Sequence, residues 1–260
     1  MSDKCKTLFV FEGPDTEKKI VSKMERNFIG DSFSVKCAYC GDIYQFYNNL
    51  KAEDFATDIL SLLKERNSKN RAALAGYDAD SFAYTYFFFD YDGHATKADD
   101  DQIAELLDFF NNETENGKMF ISYPMVEAIK HFKDKESFRE LTAKCKRRNC
   151  PNFQSCSIQE KYIDEPHYKN IAATDCDREI AKLDTIDKWK MIINVHLCKG
   201  NYIINGDFSL PDKLLEQSVL FACQRATYIS QHCPVVAVLS AFPFFLQEYY
   251  GASALNEKLK

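Results

Sequence analysis

The sequence predicts an α/β protein: a mostly parallel sheet flanked by helices over residues 1–132, followed by a mainly helical half over residues 133–260. Three observations carry this. Short apolar runs of strand length alternate with segments of helical period through the first half. The stretch "YTYFFF" is apolar at successive positions, as in a strand covered on both faces. Beyond residue 132 the strand-like runs become few, while helical spacing persists.

Residues 6–11, "KTLFVF", read as a buried strand closed by the turn "EGP". From Asp15 the pattern turns helical, with Ile20, Met24 and Phe28 four residues apart. "SFSVKCAY" predicts a second strand ending before Gly41. "AEDFATDILSLLKERN", residues 52–67, predicts one amphipathic helix with Phe55, Ile59 and Leu63 on its stripe. "YTYFFF" is the third strand. "DDDQIAELLDFFNN" is a helix whose leading aspartates suit the positive end of its dipole, with Ile103, Leu106, Leu107 and Phe110 facing inward. "KMFIS" is the fourth strand, and "PMVEAIKHF" opens with a proline suited to a first helical turn. In the second half, "LPDKLLEQSVLFACQRATYISQH" places Leu215, Val219, Ala222, Ala226 and Ile229 on one stripe, read as a helix packed on a core.

Composition narrows the class. The hydrophobic fraction of 45% and the 21 phenylalanines are enough for a large core, and the formal charge is only −6. The apolar run near the start, Leu8 to Phe11, is too short for a signal peptide. The longest, "VVAVLSAFPFFL", contains a proline and falls short of the ~20 residues of a membrane helix. A soluble cytoplasmic protein without a membrane partner is therefore expected. Ten cysteines in such a chain are expected to be free thiols; Cys37 with Cys40, and Cys145, Cys150 and Cys156, lack the paired spacing of a structural zinc site.

The acids are placed less randomly. Open parallel sheets gather functional groups at the carboxyl ends of their strands. Glu12 ends the first strand, Asp90 and Asp92 end the third, and Glu127 lies just past the fourth. Converging carboxylates repel unless a cation neutralises them, and hard oxygen donors suit Mg²⁺ or Mn²⁺. Each also has a plainer reading: Glu12 as a helix cap, Asp90 and Asp92 as turn acids beside Gly93, Glu127 as a solvated first-turn carboxylate.

"VFEGPDTEKKI" followed by "FFFDYD" resembles the Toprim fold, closest to its OLD-type and phage-defence-associated nucleases. The resemblance implies Mg²⁺-dependent cleavage of phosphodiester bonds in DNA or RNA, a possible role in antiviral defence, and ions held by Glu12, Asp90 and Asp92. Glu127 resembles the extra acid after the next strand in those branches. The second glutamate of the first motif falls at Glu17, five residues after Glu12 rather than four. Many Toprim nucleases work beside an ATPase; no Gly-x-x-x-x-Gly-Lys loop occurs in this sequence, so that partner would be a separate chain.

"FFFDYDGHAT" also resembles the haloacid-dehalogenase-type phosphatase signature, with Asp90 as nucleophile, Asp92 as general acid and Ser122 as phosphate ligand. Against that reading, His94 stands where Thr or Val follows the glycine, 86 residues precede the motif, and no late strand ends in paired acids. A third reading is a non-catalytic nucleic-acid-binding regulator. Lys144, Lys146, Arg147 and Arg148 in "KCKRRN" form a dense basic run suited to backbone phosphates, or merely a solvated helix end. Lys130 is a candidate for stabilising transition-state charge by its nearness to Glu127. His94 and His131 are candidates for proton transfer, or ordinary surface and packing histidines.

Overall fold

A computed structural model describes residues 6–30, 34–145, 168–231 and 234–260. Its main sheet has five strands: β1 (Lys6–Phe11), β2 (Ser34–Tyr39), β3 (Tyr84–Asp90), β4 (Asn111–Asn112) and β5 (Gly117–Ser122), in the order β2-β1-β3-β5-β4. β1 runs parallel to both β2 and β3, and the two-residue β4 is antiparallel to β5. The chain divides into two compact units, residues 1–89 with 101–120 and residues 90–100 with 121–260.

In the first unit the aromatic run of β3 explains itself. Successive strand residues point to opposite faces. Phe87 and Phe89 lie on one face, their rings 5.6 Å and 5.3 Å from Phe46. Phe88 lies on the other, 5.2 Å from Phe9 and 5.3 Å from Phe11. Both faces are thus covered, as the continuous apolar run requires. The helices are α1 (Thr16–Met24), α2 (Ile43–Ala52), α3 (Ile59–Arg66), α4 (Ser68–Ala73) and α5 (Asp100–Phe109).

Two sequence expectations are corrected here. Residues 52–67 are not one helix. Asp54 and Phe55 have φ of 48° and 59°, in the left-handed region, so the chain turns there. Asp58 then caps α3 by accepting from the Leu60 and Ser61 amides. The preceding helix, α2, lies before the expected span, and Asp42 caps it by accepting from the Gln45 amide. Second, α1 ends in a π-helical turn, Glu25–Ile29. The extra residue moves the buried position from Phe28 to Ile29, five places after Met24. Asn70 of α4 closes the edge of the sheet. Its side-chain oxygen accepts from the Tyr39 amide at 3.0 Å, and its nitrogen donates to the Tyr39 and Leu63 carbonyls at 2.7 Å and 2.8 Å.

The second unit is mainly helical. A 3-10 helix, Val126–Lys130, leads to α6 (Lys135–Glu140) and β6 (Thr142–Lys144). Then come α7 (Tyr168–Thr174), a 3-10 turn (Ile180–Lys182), α8 (Ile186–Asn205), α9 (Gln217–Gln224), β7 (Val235–Ala237), α10 (Ala241–Tyr250) and α11 (Ala252–Leu259). The expected helix at 124–132 is therefore only the five-residue 3-10 turn. β6 and β7 form an antiparallel pair. The 20-residue α8 is the central element, burying Trp189, Ile192, Ile193, Val195 and Leu197. Thr185 caps its start, and Gly206, at φ 76°, ends it in the left-handed conformation that glycine adopts without strain.

The stripe expected along residues 215–229 is also corrected. Val219 is 45% exposed, and Ala222 and Ala226 face solvent. The buried residues are Gln217, Leu220, Phe221 and Gln224, with Ile229 reached through another π-helical turn, Arg225–Ile229. Two glutamines displaced the reading because their amides have interior partners. Gln224 accepts from the Ala237 amide at 2.9 Å and donates to the Ala237 carbonyl at 2.8 Å. Gln217 accepts from the Ile121 amide at 3.4 Å. Among the described residues no helix is long and apolar enough to cross a membrane.

Candidate functional site

Asp90 is the last residue of β3. The loop it opens is fixed by backbone and packing. The Tyr91 amide donates to the Ser122 carbonyl at 2.9 Å, and the Asp92 amide to the Pro124 carbonyl at 3.2 Å. Tyr91 is fully buried, and its hydroxyl donates to Asp100 Oδ1 at 2.9 Å. Asp92 has φ 46°, an uncommon conformation for a residue other than glycine, and such strain concentrates where side-chain direction matters. Its Oδ1 lies 2.9 Å from His94 Nε2. Gly93 has no room for a side chain: a Cβ there would stand 2.2 Å from Cys145 Sγ and 2.4 Å from the Tyr91 ring.

Glu127 lies in the first turn of the 3-10 helix and is buried, with its Oε1 3.0 Å from the exposed ammonium of Lys169. Next to Lys169 on α7, Tyr168 is half-buried. Burial pushes its phenol well above the usual range, and the charges of Glu127 and then Asp90 push it further. Asp90 and Glu127 therefore share one neighbourhood around Tyr168. Behind the phenol stands His131, 3% exposed, with Nδ1 3.1 Å from the Tyr168 hydroxyl. His131 Nε2 lies 3.8 Å from Asp175 Oδ2. Burial lowers the imidazole pKa more than Asp175 raises it, so the ring is neutral at pH 7. Lys130, the last residue of the same 3-10 helix, is partly exposed and acts electrostatically on the Cys176 thiol.

Glu12 belongs to the first unit. It follows β1, and its carbonyl accepts from the Gly41 amide at 3.2 Å. The buried Cys40 thiol beside it is raised by burial and then by Glu12, while Arg66 opposes both. Gly41 has φ 81°, and a Cβ there would meet the Arg66 guanidinium at 2.6 Å. Arg66 is held in turn by the Gln45 side chain. Glu17 is 7% exposed, packed in the first turn of α1 rather than turned to solvent.

The structure thus groups Asp90 with Glu127, and Asp92 with His94, while Glu12 keeps company with Cys40 and Arg66. Among the described residues no three His, Cys, Asp or Glu side chains form a group able to hold a metal ion. The donor chemistry still suits Mg²⁺, which keeps several waters and takes only one or two carboxylates together with substrate phosphate oxygens. Of the basic run, Lys144 closes β6, and Lys146, Arg147 and Arg148 lie outside the described residues, as do Cys150 and Cys156. Cys37, Cys40 and Cys145 are free thiols, with the last two buried.

Tyr168 and Lys169 escape sequence reasoning. They lie about forty positions after Glu127, a separation at which no local period operates. The only trace is two residues of hydrogen-bonding chemistry at a helix start, a weak signal alone. Compared with protein-family models, curated proteins and solved structures, the chain matches none of them.

Proposed function

We propose that this protein is a Toprim-like, Mg²⁺- or Mn²⁺-dependent hydrolase of phosphodiester bonds in DNA or RNA, with a role in antiviral defence beside a separate ATPase chain. The observation that carries this reading is that Asp90, at the end of β3, and Glu127, past the end of β5, both act electrostatically on one phenol, Tyr168. The sheet order supports it. From β1 the chain goes to β2 on one side and to β3 on the other, and open α/β sheets bind ligands at the carboxyl ends beside such a reversal.

Asp90 and Glu127, with Asp92 as a further carboxylate of the same unit, are the groups that would hold the ion; Glu12, which the resemblance also implies, belongs to the first unit, beside Cys40 and Arg66. When bound, it would supply an activated water and neutralise charge on the phosphate. The protein's own contribution is position. The backbone bonds of residues 91 and 92 fix where Asp90 and Asp92 begin. Lys169 balances the charge of the buried Glu127, and Lys130 is the other cation proposed for this region. Support for the phosphatase arrangement is weaker: Ser122, its phosphate ligand, is 2% exposed, and its hydroxyl accepts from the Ala241 amide at 3.2 Å.

The test combines melting and cleavage. Millimolar Mn²⁺ or Mg²⁺ should raise the melting temperature, by about 2.7 kcal/mol of stability at a hundredfold excess over Kd, and Asp90→Asn should abolish the rise. Labelled single-stranded and duplex DNA and RNA should be cut with metal and spared with chelator. Metal binding without cleavage of any of them would leave the regulator reading instead.

A further inference from the structure

Tyr168 has a setting that the metal-ligand acids do not explain. Its hydroxyl is a neutral hydrogen-bonding group within reach of the charges of Glu127 and Asp90, and its ring packs on His131 at 5.4 Å between centroids. A phenol that only filled space beside Asp90 and Glu127 would need no buried imidazole aligned on its oxygen. His131 supplies that alignment, with Nδ1 3.1 Å from the hydroxyl. Its Nε2 is buried and has no hydrogen-bond partner, Asp175 being 3.8 Å away. Placing the imidazole proton on Nδ1 leaves no buried N–H without an acceptor, the costlier kind of orphan. In that tautomer His131 donates to the phenol oxygen, and the phenol O–H is left to donate elsewhere.

We propose that Tyr168, oriented by His131, donates a hydrogen bond to the leaving oxygen of the scissile phosphodiester. This rests on the hydrolase reading above. A carboxylate-rich site has acceptors in excess, and negative charge develops on the leaving oxygen as the P–O bond breaks. A neutral donor fixed in place stabilises that charge without bringing a further anion into the site. No proton need leave Tyr168: water adds to phosphorus, the P–O bond breaks, the attacking water's proton passes to solvent, and the leaving oxygen takes a solvent proton after departure. Lys169, the adjacent residue, is engaged with Glu127, so the two side chains at the start of α7 serve different partners.

The experiment is steady-state cleavage of a labelled oligonucleotide by the full chain in Mn²⁺, comparing wild type with Tyr168→Phe. One substrate is normal, and another carries sulfur at the bridging leaving position. Losing one such donor should lower kcat about a hundredfold on the oxygen substrate with KM within about twofold. Sulfur accepts hydrogen bonds poorly and leaves readily, so the defect should shrink to less than about tenfold on the second substrate. A merely structural tyrosine would harm both substrates alike, and that result overturns the proposal, as does an unchanged kcat. If Tyr168→Phe fails to fold, 3,5-difluorotyrosine at position 168 keeps the ring and strengthens the donor. It should change kcat at least about threefold on the oxygen substrate, and an unchanged kcat there also overturns the proposal. The two layers separate cleanly. A wild type inert on every nucleic acid refutes the hydrolase reading and this inference with it. An active wild type matched by Tyr168→Phe refutes the inference alone.

Discussion

The two units bury different chemistry. The first is built on aromatic rings: Phe9, Phe11, Phe46, Phe87, Phe88, Phe89 and Phe110 are all buried, while its buried polar groups are few, Asn70 among them. The second carries His196, Lys199, Gln217, Gln224, Ser240 and Gln247 in its interior. The contrast is sharpest between α1 and α9. Each ends in a π-helical turn, and their buried positions share one spacing: Glu17 and Gln217, Ile20 and Leu220, Val21 and Phe221, Met24 and Gln224, Ile29 and Ile229. The same helical shape buries a thioether in one unit and an amide in the other. What differs is the neighbour: Gln224 bonds both the N–H and the C=O of Ala237. A buried polar group is placed by the partner it satisfies, not by hydrophobic period.

The strongest way to sharpen this contrast is Lys199. It is fully buried, its ammonium donating to the Phe138 carbonyl at 2.9 Å and the Leu141 carbonyl at 2.5 Å. Burial lowers its pKa to about 7, partly offset by Glu140. The unfolded chain keeps that proton up to the ordinary lysine value while the folded chain releases it from about pH 7. The unfolded state therefore binds more protons in this window, and stability rises as pH climbs through it, with nothing contributed below pH 7. At 1.36 kcal/mol per pKa unit the full effect is about 5 kcal/mol. Urea melts of wild type and Lys199→Met from pH 6 to 10 should differ in slope by that sign. Parallel slopes would mean that Lys199 ionises as if exposed.

A smaller effect probes the paired helices directly. Gln224→Met leaves the Ala237 N–H and C=O buried without partners, at about 1–3 kcal/mol each. Met24→Leu, at the matching position, should cost less than about 1.5 kcal/mol. Equal costs in chemical denaturation would erase the distinction between the two interiors. Smallest of all, Val219→Lys should shift stability by no more than about 0.5 kcal/mol, since that face of α9 is exposed. A large loss in the same melts would restore the apolar stripe that the sequence suggests.

This contrast also explains what is legible. β1, β2, β3 and β5 announce themselves because an apolar run bounded by turns has few alternatives. α2 carries a readable signal as well, with Ile43, Phe46, Tyr47 and Leu50 at helical spacing and Asp42 at its cap. The break at Asp54 and Phe55 does not show, because a left-handed aspartate and phenylalanine go against local preference. Gln217 and Gln224 read as solvent-facing until Ile121 and Ala237 are seen to need them. In the site, Asp90, Asp92 and Glu127 are visible because strand ends are visible. Tyr168, Lys169 and His131 are joined to them through folding alone.

The amide of Asn70 has one further consequence. β2 is the outer strand of the sheet, and a bare outer strand is a template onto which another polypeptide can add. Asn70 presents both a donor and an acceptor to Tyr39, the pair of bonds an incoming strand would make. Gln224 does the same for Ala237 on β7. Each unit thus carries a built-in guard against recruitment into aggregates: one side chain that imitates a neighbouring strand and occupies its place.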